Sequence, residues 1–133
     1  MRLTTRSEYA LLALIHLGRH ASSDFVSTET IARAQRIPLA YLEQILRALK
    51  RGRVVQSSKG QHGGYRLARP ASEITIAEIV RQLDGALAPT QSVSERFYQP
   101  TPIEKETKML ALLRGIRSTI ADKLERTTIA EVI

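Results

Sequence analysis

Cysteine is absent from this chain of 133 residues. Its absence excludes disulfide bonds, thiolate metal sites and cysteine nucleophiles. Long hydrophobic runs are also lacking, because the longest apolar stretch, residues 9–17, contains a histidine and is about half the roughly 18 residues that suggest a membrane span. No signal peptide is recognisable at the start. We therefore expect a soluble, cytoplasmic protein without a membrane partner.

Patterns for catalysis or metal binding are equally scarce. No Ser-His-Asp arrangement and no pair of catalytic carboxylates can be nominated from spacing. His16 and His20 have the i, i+4 spacing of two ligands on one helix, but no glutamate follows His16 and no thiol is available to complete a site. Packed or solvent-facing histidines are the simpler interpretation. The sequence thus predicts no enzymatic activity, no catalytic residue and no bound metal.

Positive charge is concentrated in one half of the chain. The net charge is +7; residues 1–70 hold 12 lysines and arginines against 4 aspartates and glutamates, whereas residues 71–133 hold 8 against 9. A basic half of this kind is typical of a module that binds a polyanion. The pI of 10.2 also favours nonspecific binding to nucleic acid, so basicity alone does not establish sequence-specific recognition.

An amphipathic helix is predicted from Pro38 to about residue 51. At about 100° per residue, its apolar side chains fall on one arc and most of its polar and basic side chains on the opposite arc. Pro38 suits the first turn because its missing N–H has no partner there, and Gly52 suits the left-handed residue that closes a helix. The two arcs comprise Leu39, Leu42, Ile45, Leu46 and Leu49, which must be buried, and Ala40, Gln44, Arg47 and Arg51, which are free to enter a groove.

Elements on both sides of this helix complete the pattern of a winged helix-turn-helix. A shorter helix precedes it, with Ser27 as the expected N-cap, and a turn at residues 36–37 joins the two. Downstream, Val54 begins an extended segment whose return arm includes Tyr65. The reversal is expected to draw its positive φ angles from glycines, with two polar residues at its tip. These are Gly60, Gly63 and Gly64, and Lys59 and His62.

The remainder of the first 85 residues is expected to be scaffold. Apolar spacing predicts a first helix from Ser7 to about residue 20. Thr75 and Glu78 have the spacing of a capping box, and the helix that they begin is closed by Gly85. A chain of this length suffices for one domain with an extension. We predict a mainly α fold with a small β-hairpin wing, that is, an α+β winged helix-turn-helix domain over residues 1–85.

The last third of the chain predicts a loop followed by a dimerisation helix. Residues 86–101 are rich in Pro, Ser, Thr and Gln and have no regular period. Thr101, Pro102 and Glu104 combine an N-cap, a first-turn proline and a capping box, so residues 102–133 should form a long helix and a short C-terminal turn. An apolar stripe along about 25 residues needs a partner, and a second copy on a two-fold axis is the economical one. The stripe is Met109, Leu113, Ile116, Ile120 and Leu124.

The polar arc of the predicted recognition helix supplies candidate DNA contacts. Gln44 can pair bidentately with adenine and Arg47 with guanine, and Glu43 can accept from the amino group of cytosine. The alternative is that these are solvated side chains on a surface helix. Groups better suited to positioning the helix on phosphates are Tyr41, Lys50 and Arg51.

The tip of the wing offers two further contacts. Lys59 can follow a narrow minor groove or contact phosphate, and His62 can donate to phosphate. An exposed hairpin with incidental charge is the alternative. A nucleotide-binding glycine loop is disfavoured, because the turn lacks the Gly-Lys-Ser/Thr ending and no long helix follows it.

Five short motifs are recognisable in combination. They are Met1-Arg2-Leu3-Thr4, Tyr9-Ala10, Tyr41-Leu42-Glu43-Gln44, Gly60 with Gly63-Gly64-Tyr65, and Thr127-Thr128-Ile129. On these motifs the chain resembles the IscR, NsrR and CymR family of bacterial winged-helix transcription regulators, also called the Rrf-two family. The resemblance covers nearly the whole chain.

The resemblance implies a homodimer that binds a palindromic operator on double-stranded DNA and usually represses transcription. The positions of Glu43 and Lys59 contact bases or the minor groove in such proteins, and Arg2 joins the candidate DNA contacts. Many members hold an iron–sulfur cluster on three cysteines in the loop before the long helix. This loop has none, and Ser92 stands about where the first would be. We therefore expect no cluster and no other cofactor.

The sequence thus favours a cluster-free, dimeric regulator that binds an operator. A small molecule or protein bound at residues 86–101 would lie between the wing domain and the dimer helix and could change the spacing of the two copies. The alternative function is a protein-interaction adaptor or sensor on the same scaffold that binds DNA only nonspecifically.

Overall fold

The chain folds into α-helices with a small β-hairpin between the third and fourth of them. The computed structural model describes residues 1–22 and 24–133. Within these residues lie five α-helices and one two-stranded antiparallel sheet, which confirms the predicted mainly α fold with a hairpin wing. The elements are α1 (Thr5–Arg19), α2 (Thr28–Gln35), α3 (Leu39–Arg51), β1 (Val55–Ser58), β2 (Gly64–Leu67), α4 (Ile76–Asp84) and α5 (Thr107–Arg126).

Hydroxyl caps fix the start of three helices. Before α1, α2 and α4, the hydroxyl oxygen of Thr4, Ser27 or Thr75 accepts the N–H three residues further on, each at 3.2 Å. These bonds satisfy N–H groups that have no partner inside the helix. The N-caps predicted at Ser27 and Thr75 are confirmed. The predicted start of α1 at Ser7 is late, because Thr4 caps the helix and Thr5 begins it.

The two ends of α3 differ from the prediction in detail. Pro38 is the residue before the helix, with a ψ of 129°, and does not take the first helical position. Gly52 has a φ of −78°, so the left-handed conformation expected there is wrong. Arg53 takes it instead, with a φ of 59°. A Cβ at Gly52 would lie 2.5 Å from Oε1 of Gln82, so a larger residue there would push aside the Gln82 side chain, which donates to the carbonyl of Ala48.

The wing is tied to the segment that precedes α2. β1 and β2 pair along their whole length, and Val26 extends this ladder by pairing with Tyr65. The N–H of each of these two residues donates to the carbonyl of the other at 2.8 Å. The hairpin is therefore held against the helix-turn-helix by backbone hydrogen bonds as well as by side chains.

Two of the three wing glycines adopt the expected positive φ. Gly60 has a φ of 101° and Gly64 a φ of 147°, but Gly63 lies outside the left-handed region, so that part of the prediction is wrong. Its small size matters instead, because a Cβ on Gly63 would come within 2.3 Å of the carbonyl oxygen of Ser58. At Gly64 a Cβ would come within 2.1 Å of the carbonyl oxygen of Val26.

One apolar core joins the first four helices, the wing and the C-terminal end of the chain. Its buried side chains come from α1, α2, α3 and β1, from the start of α4, and from Ile129 in the short 3₁₀ turn Ile129–Val132. The largest members with almost no exposed surface are Leu14, Ile31, Leu42, Ile45, Leu46, Leu49, Ile74, Ile79 and Ile129.

The long helix begins later than predicted. Residues Pro102–Lys105 form a 3₁₀ turn, and α5 starts at Thr107 and runs for 20 residues. The hydroxyl of Thr101 shares a hydrogen bond with that of Ser92 instead of capping a helix. The carboxylate of Glu104 accepts from the Tyr98 hydroxyl at 2.5 Å rather than folding back on the backbone. Tertiary partners have therefore taken both groups of the predicted capping box.

α5 also packs against its own chain. Ala121 and the half-buried Leu124 meet a cluster from α4, whereas Leu110 and the half-buried Leu113 meet Val93 in the loop. The loop at residues 86–101 therefore combines irregular backbone, as predicted, with buried side chains and one 3₁₀ turn, Gln91–Val93.

Candidate nucleic-acid interface

A tight turn sets α3 at an angle to α2. Arg36 adopts the left-handed conformation with φ 56° and ψ 45°, and the N–H of Ile37 donates to the carbonyl of Ala32 at 2.9 Å. Ile37 is buried in the core. The turn lies where the sequence predicts it. Its left-handed residue could not be predicted, because this conformation is usually marked by glycine and here it is adopted by an arginine.

α3 has one buried face, and its composition differs from the prediction at two residues. Leu39 is 40% exposed, because it opens the helix before the first turn that packs on the core. Ala48 is buried although it was not assigned to the apolar arc. The full buried face is Leu42, Ile45, Leu46, Ala48 and Leu49.

The opposite face of α3 presents polar groups to solvent. Gln44, Arg47 and Arg51 are exposed, and Glu43 lies at the edge of the same face. Nη2 of Arg47 lies 3.9 Å from Oε2 of Glu43, one helical turn away. A loose, exposed pair of this kind contributes little to stability. The Glu43 carboxylate and the Arg47 guanidinium are therefore close together and can exchange this contact for others.

Tyr41 stands at the start of the exposed face. It is 60% exposed, and its ring packs edge-on against Tyr9 of α1, with centroids 6.5 Å apart and planes at 64°. Tyr9 thereby fixes the direction of an aromatic side chain whose outer surface is free.

A groove of about 370 Å³ separates the wing from the two helices. Lys50 from the end of α3 and Lys59 from the wing both line it, whereas His62 is exposed at the tip and lies outside its lining. The sequence did not identify the start of α2 or the strand hydroxyls as part of this surface, because only the Val26–Tyr65 pairing brings them there. The added lining residues are Ser27, Thr28, Glu29, Ser57 and Ser58.

Arg2 lies on the exposed N-terminal segment. Beyond it, the N–H and the hydroxyl of Thr4 donate to the carboxylate of Asp84 at 3.1 and 2.6 Å. These bonds attach the N-terminus to the end of α4. Arg2 is outside the groove between the wing and the helices.

The outer face of α5 exposes apolar side chains. Of the predicted stripe, Met109 and Ile116 are exposed and Ile120 is half-exposed, whereas Leu113 and Leu124 pack partly on their own chain. Leu112 is 55% exposed and was missed, although its spacing of four from Ile116 repeats along the helix. Two shallow depressions, of about 430 and 460 Å³, follow this face and reach Met1, Leu3, Ile76 and Val80.

The loop at residues 86–101 does not fit a thiolate-bound iron–sulfur cluster. The sequence has no cysteine, and Ser92 is buried with its hydroxyl bonded to that of Thr101. Across residues 1–22 and 24–133, no group of three His, Cys, Asp or Glu side chains is placed to hold a metal ion. The thiolate ligands of such a cluster are therefore missing from this loop.

The rings of His16 and His20 lie side by side, with centroids 4.4 Å apart and planes tilted by 45°. His16 is buried, and burial, together with the nearby His20 and Arg19, lowers its pKa below the usual 6.5. In the part of the chain that the structure covers, no helix is long and apolar enough to cross a membrane.

Comparison with known proteins identifies the family. The profile of the Rrf2 family, described as iron-dependent transcriptional regulators, matches residues 3–133. A Mycobacterium tuberculosis protein whose name describes it as an HTH-type transcriptional regulator is 40% identical over 133 residues, 99% of this chain and 81% of the relative. The structure of CymR, the global cysteine regulator of B. subtilis, superposes with a TM-score of 0.80 at 27% identity and covers 99% of this chain and 95% of CymR. IscR of T. potens gives a TM-score of 0.76 at 26% identity, covering 99% and 85%. The chain therefore belongs to the Rrf2 family of transcriptional regulators.

Proposed function

We propose that this chain binds a palindromic operator as a homodimer and represses transcription by occupying it. The observation that carries the proposal is the continuous exposed surface from the polar face of α3 through Lys50 to Lys59 in the wing. A helix of this kind fits the major groove, and a hairpin beside it fits the adjacent backbone or minor groove. The protein acts through binding rather than catalysis, in the cytoplasm and without a cofactor.

Three side chains of α3 are proposed to read base edges. Gln44 presents an amide suited to adenine and Arg47 a guanidinium suited to guanine. Glu43, which lies 3.9 Å from Arg47 in the free chain, accepts from cytosine once the arginine has turned to its own base. The exchange carries little cost because the pair is exposed.

The remaining candidates are proposed to hold the backbone. Phosphate contacts fix register without reading sequence, and the exposed ring of Tyr41 and the two lysines of the groove suit that role. Lys59 lies where a wing meets the phosphates or the minor groove. The full set of backbone contacts is Arg2, Tyr41, Lys50, Arg51, Lys59 and His62.

The outer face of α5 is proposed as the dimer interface. Met109, Leu112, Ile116 and Ile120 leave an apolar surface exposed along several turns of the helix, which a second copy would remove from water. Pairing two copies of the same face produces a two-fold axis. The two recognition helices are then expected about 34 Å apart, or a multiple of that, to meet half-sites one DNA turn apart.

In this proposal residues 1–85 read DNA, residues 102–133 join the two copies, and residues 86–101 connect the two functions. Leu113 and Leu124 contribute mainly by seating α5 on its own chain, because both contact buried clusters there. Ile129 lies in the core of the first part, so the C-terminal turn anchors the long helix to the DNA-reading domain.

A footprinting experiment tests the proposal. Genomic fragments selected by the purified protein in excess competitor DNA should share a palindrome, and the protein should protect both half-sites. The mass in solution should correspond to two chains. Binding without a protected sequence would instead support the adaptor alternative. Salt dependence alone does not distinguish them, because both kinds of binding release counterions.

A further inference from the structure

Three arginines from three different parts of the chain line one small cavity. Arg81 belongs to α4, Arg96 to the loop and Arg117 to α5, and the cavity between them measures about 10 Å³. The side chains of Arg81 and Arg117 are only 15% and 20% exposed. A guanidinium group withdrawn from water in this way requires hydrogen-bond acceptors.

The acceptors of Arg117 are incomplete. Nη1 donates to the carbonyl of Val93 at 3.0 Å, and Nη2 donates to the hydroxyl of Ser118 at 2.9 Å. Nε is buried and has no hydrogen-bond partner among the described residues. A buried donor of a charged group that remains unpaired is destabilising, so Arg117 would be stabilised by one more acceptor.

Glu95 fills this role only weakly. Its Oε1 lies 3.7 Å from Nη2 of Arg117, beyond hydrogen-bond distance, and its side chain is 66% exposed. The other carboxylate, Glu125, is already bound to Arg81, and that hydrogen bond is the main reason why the pKa of Glu125 is lowered, with Arg96 adding a smaller electrostatic effect. Three guanidinium groups thus face two carboxylates, one of which is loosely held.

We propose that Arg81, Arg96 and Arg117 bind the carboxylate or phosphate group of a small anionic ligand, which displaces the side chain of Glu95. As it stands the cavity has room for about one water molecule, so the charged group takes the place of the Glu95 carboxylate and the rest of the ligand lies outside, next to Phe97, which lines the cavity and is exposed. Bidentate contacts from arginine to such oxyanions are strong and directional.

Binding at this place would act on the loop. Arg117 holds the carbonyl of Val93, and Val93 packs with Leu110 at the beginning of α5. A ligand that completes the contacts of Arg117 therefore fixes the loop on the long helix. The site itself does not depend on the proposed operator binding, since all of its contacts lie within one chain.

Titration of the full chain, followed by the NMR signals of arginine Nε–H groups, tests the site. Inorganic phosphate and malonate are added separately, with sodium chloride at equal ionic strength as the reference. Saturable movement of the Arg117 Nε–H signal is expected with one or both anions, and the effective one identifies the phosphate or carboxylate source. Glu95→Gln should tighten binding by about fivefold, because the competing carboxylate is gone. Arg117→Gln and Arg81→Gln should weaken it at least tenfold, about the effect of losing one charge-assisted contact.

Arg114→Gln is the matched control, because Arg114 is exposed on the same helix and lies outside the cavity; its affinity should equal that of the wild type. The proposal is wrong when neither the wild type nor Glu95→Gln shows saturable binding, or when chloride produces the same movement. Unchanged affinity in a folded Arg117→Gln protein also overturns it. Far-UV circular dichroism establishes whether each variant is folded. Where Arg117→Gln does not fold, Glu95→Gln provides the test: tighter anion binding supports the proposal, and unchanged binding overturns it.

Discussion

Thr75 and Thr128 pair with each other as an antiparallel bridge, although each begins its own copy of the sequence Thr-Ile-Ala-Glu. The N–H of Ile129 donates to the carbonyl of Ile74 at 2.9 Å next to this bridge. The end of α5 is thereby fastened to the start of α4, and Ile129 is carried into the main core. The repeated motif marks two helical starts that meet in space.

Ile129→Ala should destabilise the fold by about 2–5 kcal/mol, because it removes a fully buried side chain and leaves a cavity. Urea unfolding followed by circular dichroism measures the change. Val132→Ala, in the same turn but 40% exposed, is the control and should change stability by less than about 1 kcal/mol. Equal losses in the two variants would contradict the anchoring role of Ile129.

Arg47→Ala should cost about 1–3 kcal/mol on the selected operator and much less on random DNA, since a base contact is lost. Fluorescence anisotropy with both DNAs at fixed salt measures the two affinities. Arg126→Ala removes the same charge from the exposed end of α5 and should leave the specificity ratio unchanged. Parallel losses on both DNAs would assign Arg47 to phosphate instead.

Lys59→Ala should weaken binding to all sequences and reduce the slope of log affinity against log salt by about one, the signature of a lost phosphate contact. The measurement is a salt series on operator and random DNA. Lys108→Ala, an exposed lysine at the start of α5, should keep the wild-type slope. A changed sequence preference with an unchanged slope would place Lys59 at bases.

Ile116→Glu should convert the proposed dimer to a monomer while the helical content is retained, because the charge is placed in the middle of the exposed apolar face of α5. Analytical ultracentrifugation over a range of concentrations measures the effect. Lys108→Glu makes a larger change of charge on the same helix and should remain dimeric. A dimeric Ile116→Glu protein would show that another surface joins the copies.

Because of His16, we predict that the folded chain loses stability in mild acid. Its folded-state pKa is lowered, first by burial and then by His20 and Arg19, so the unfolded chain binds the proton more readily. The stability due to neutral His16 is therefore present above pH 6.5 and lost as the pH falls from there through the folded-state pKa. Urea unfolding at about pH 7.5 and pH 5.5 should show this slope, and His16→Gln should flatten it.

His62→Gln serves as the control for this pH dependence, because its side chain is exposed at the tip of the wing, and it should leave the wild-type slope in place. An undiminished slope in a folded His16→Gln protein would assign the effect to other groups.

Local patterns were sufficient to predict much of this architecture. The period of α3, the hydroxyl caps at Ser27 and Thr75 and the glycines of the wing act within a few residues of each other, and each predicted its element. The start of α5 was predicted wrongly, because the hydroxyl of Thr101 bonds to Ser92 from a different part of the loop. Contacts of that kind leave no periodic signal in the sequence.

The candidate site shows the same division. The exposed face of α3 follows from its helical period, whereas the groove above Lys50 requires the start of α2 to lie beside the wing, which only the folded chain reveals. On α5, Leu112 belongs to the exposed outer face, whereas Leu113 and Leu124 pack on their own chain. Helical period alone does not distinguish these two fates of an apolar residue.

The close approach of Gly64 to Val26 has a consequence for control by a signal. The hairpin cannot swing away from α2 without breaking the paired backbone at Val26 and Tyr65, so under the proposed function the wing and the helix-turn-helix of one chain would move together as one DNA-binding unit. In the proposed homodimer, a signal would then have to act between the two copies, by tilting one such unit relative to the other, and we expect the free and signal-bound forms to superpose closely within each copy.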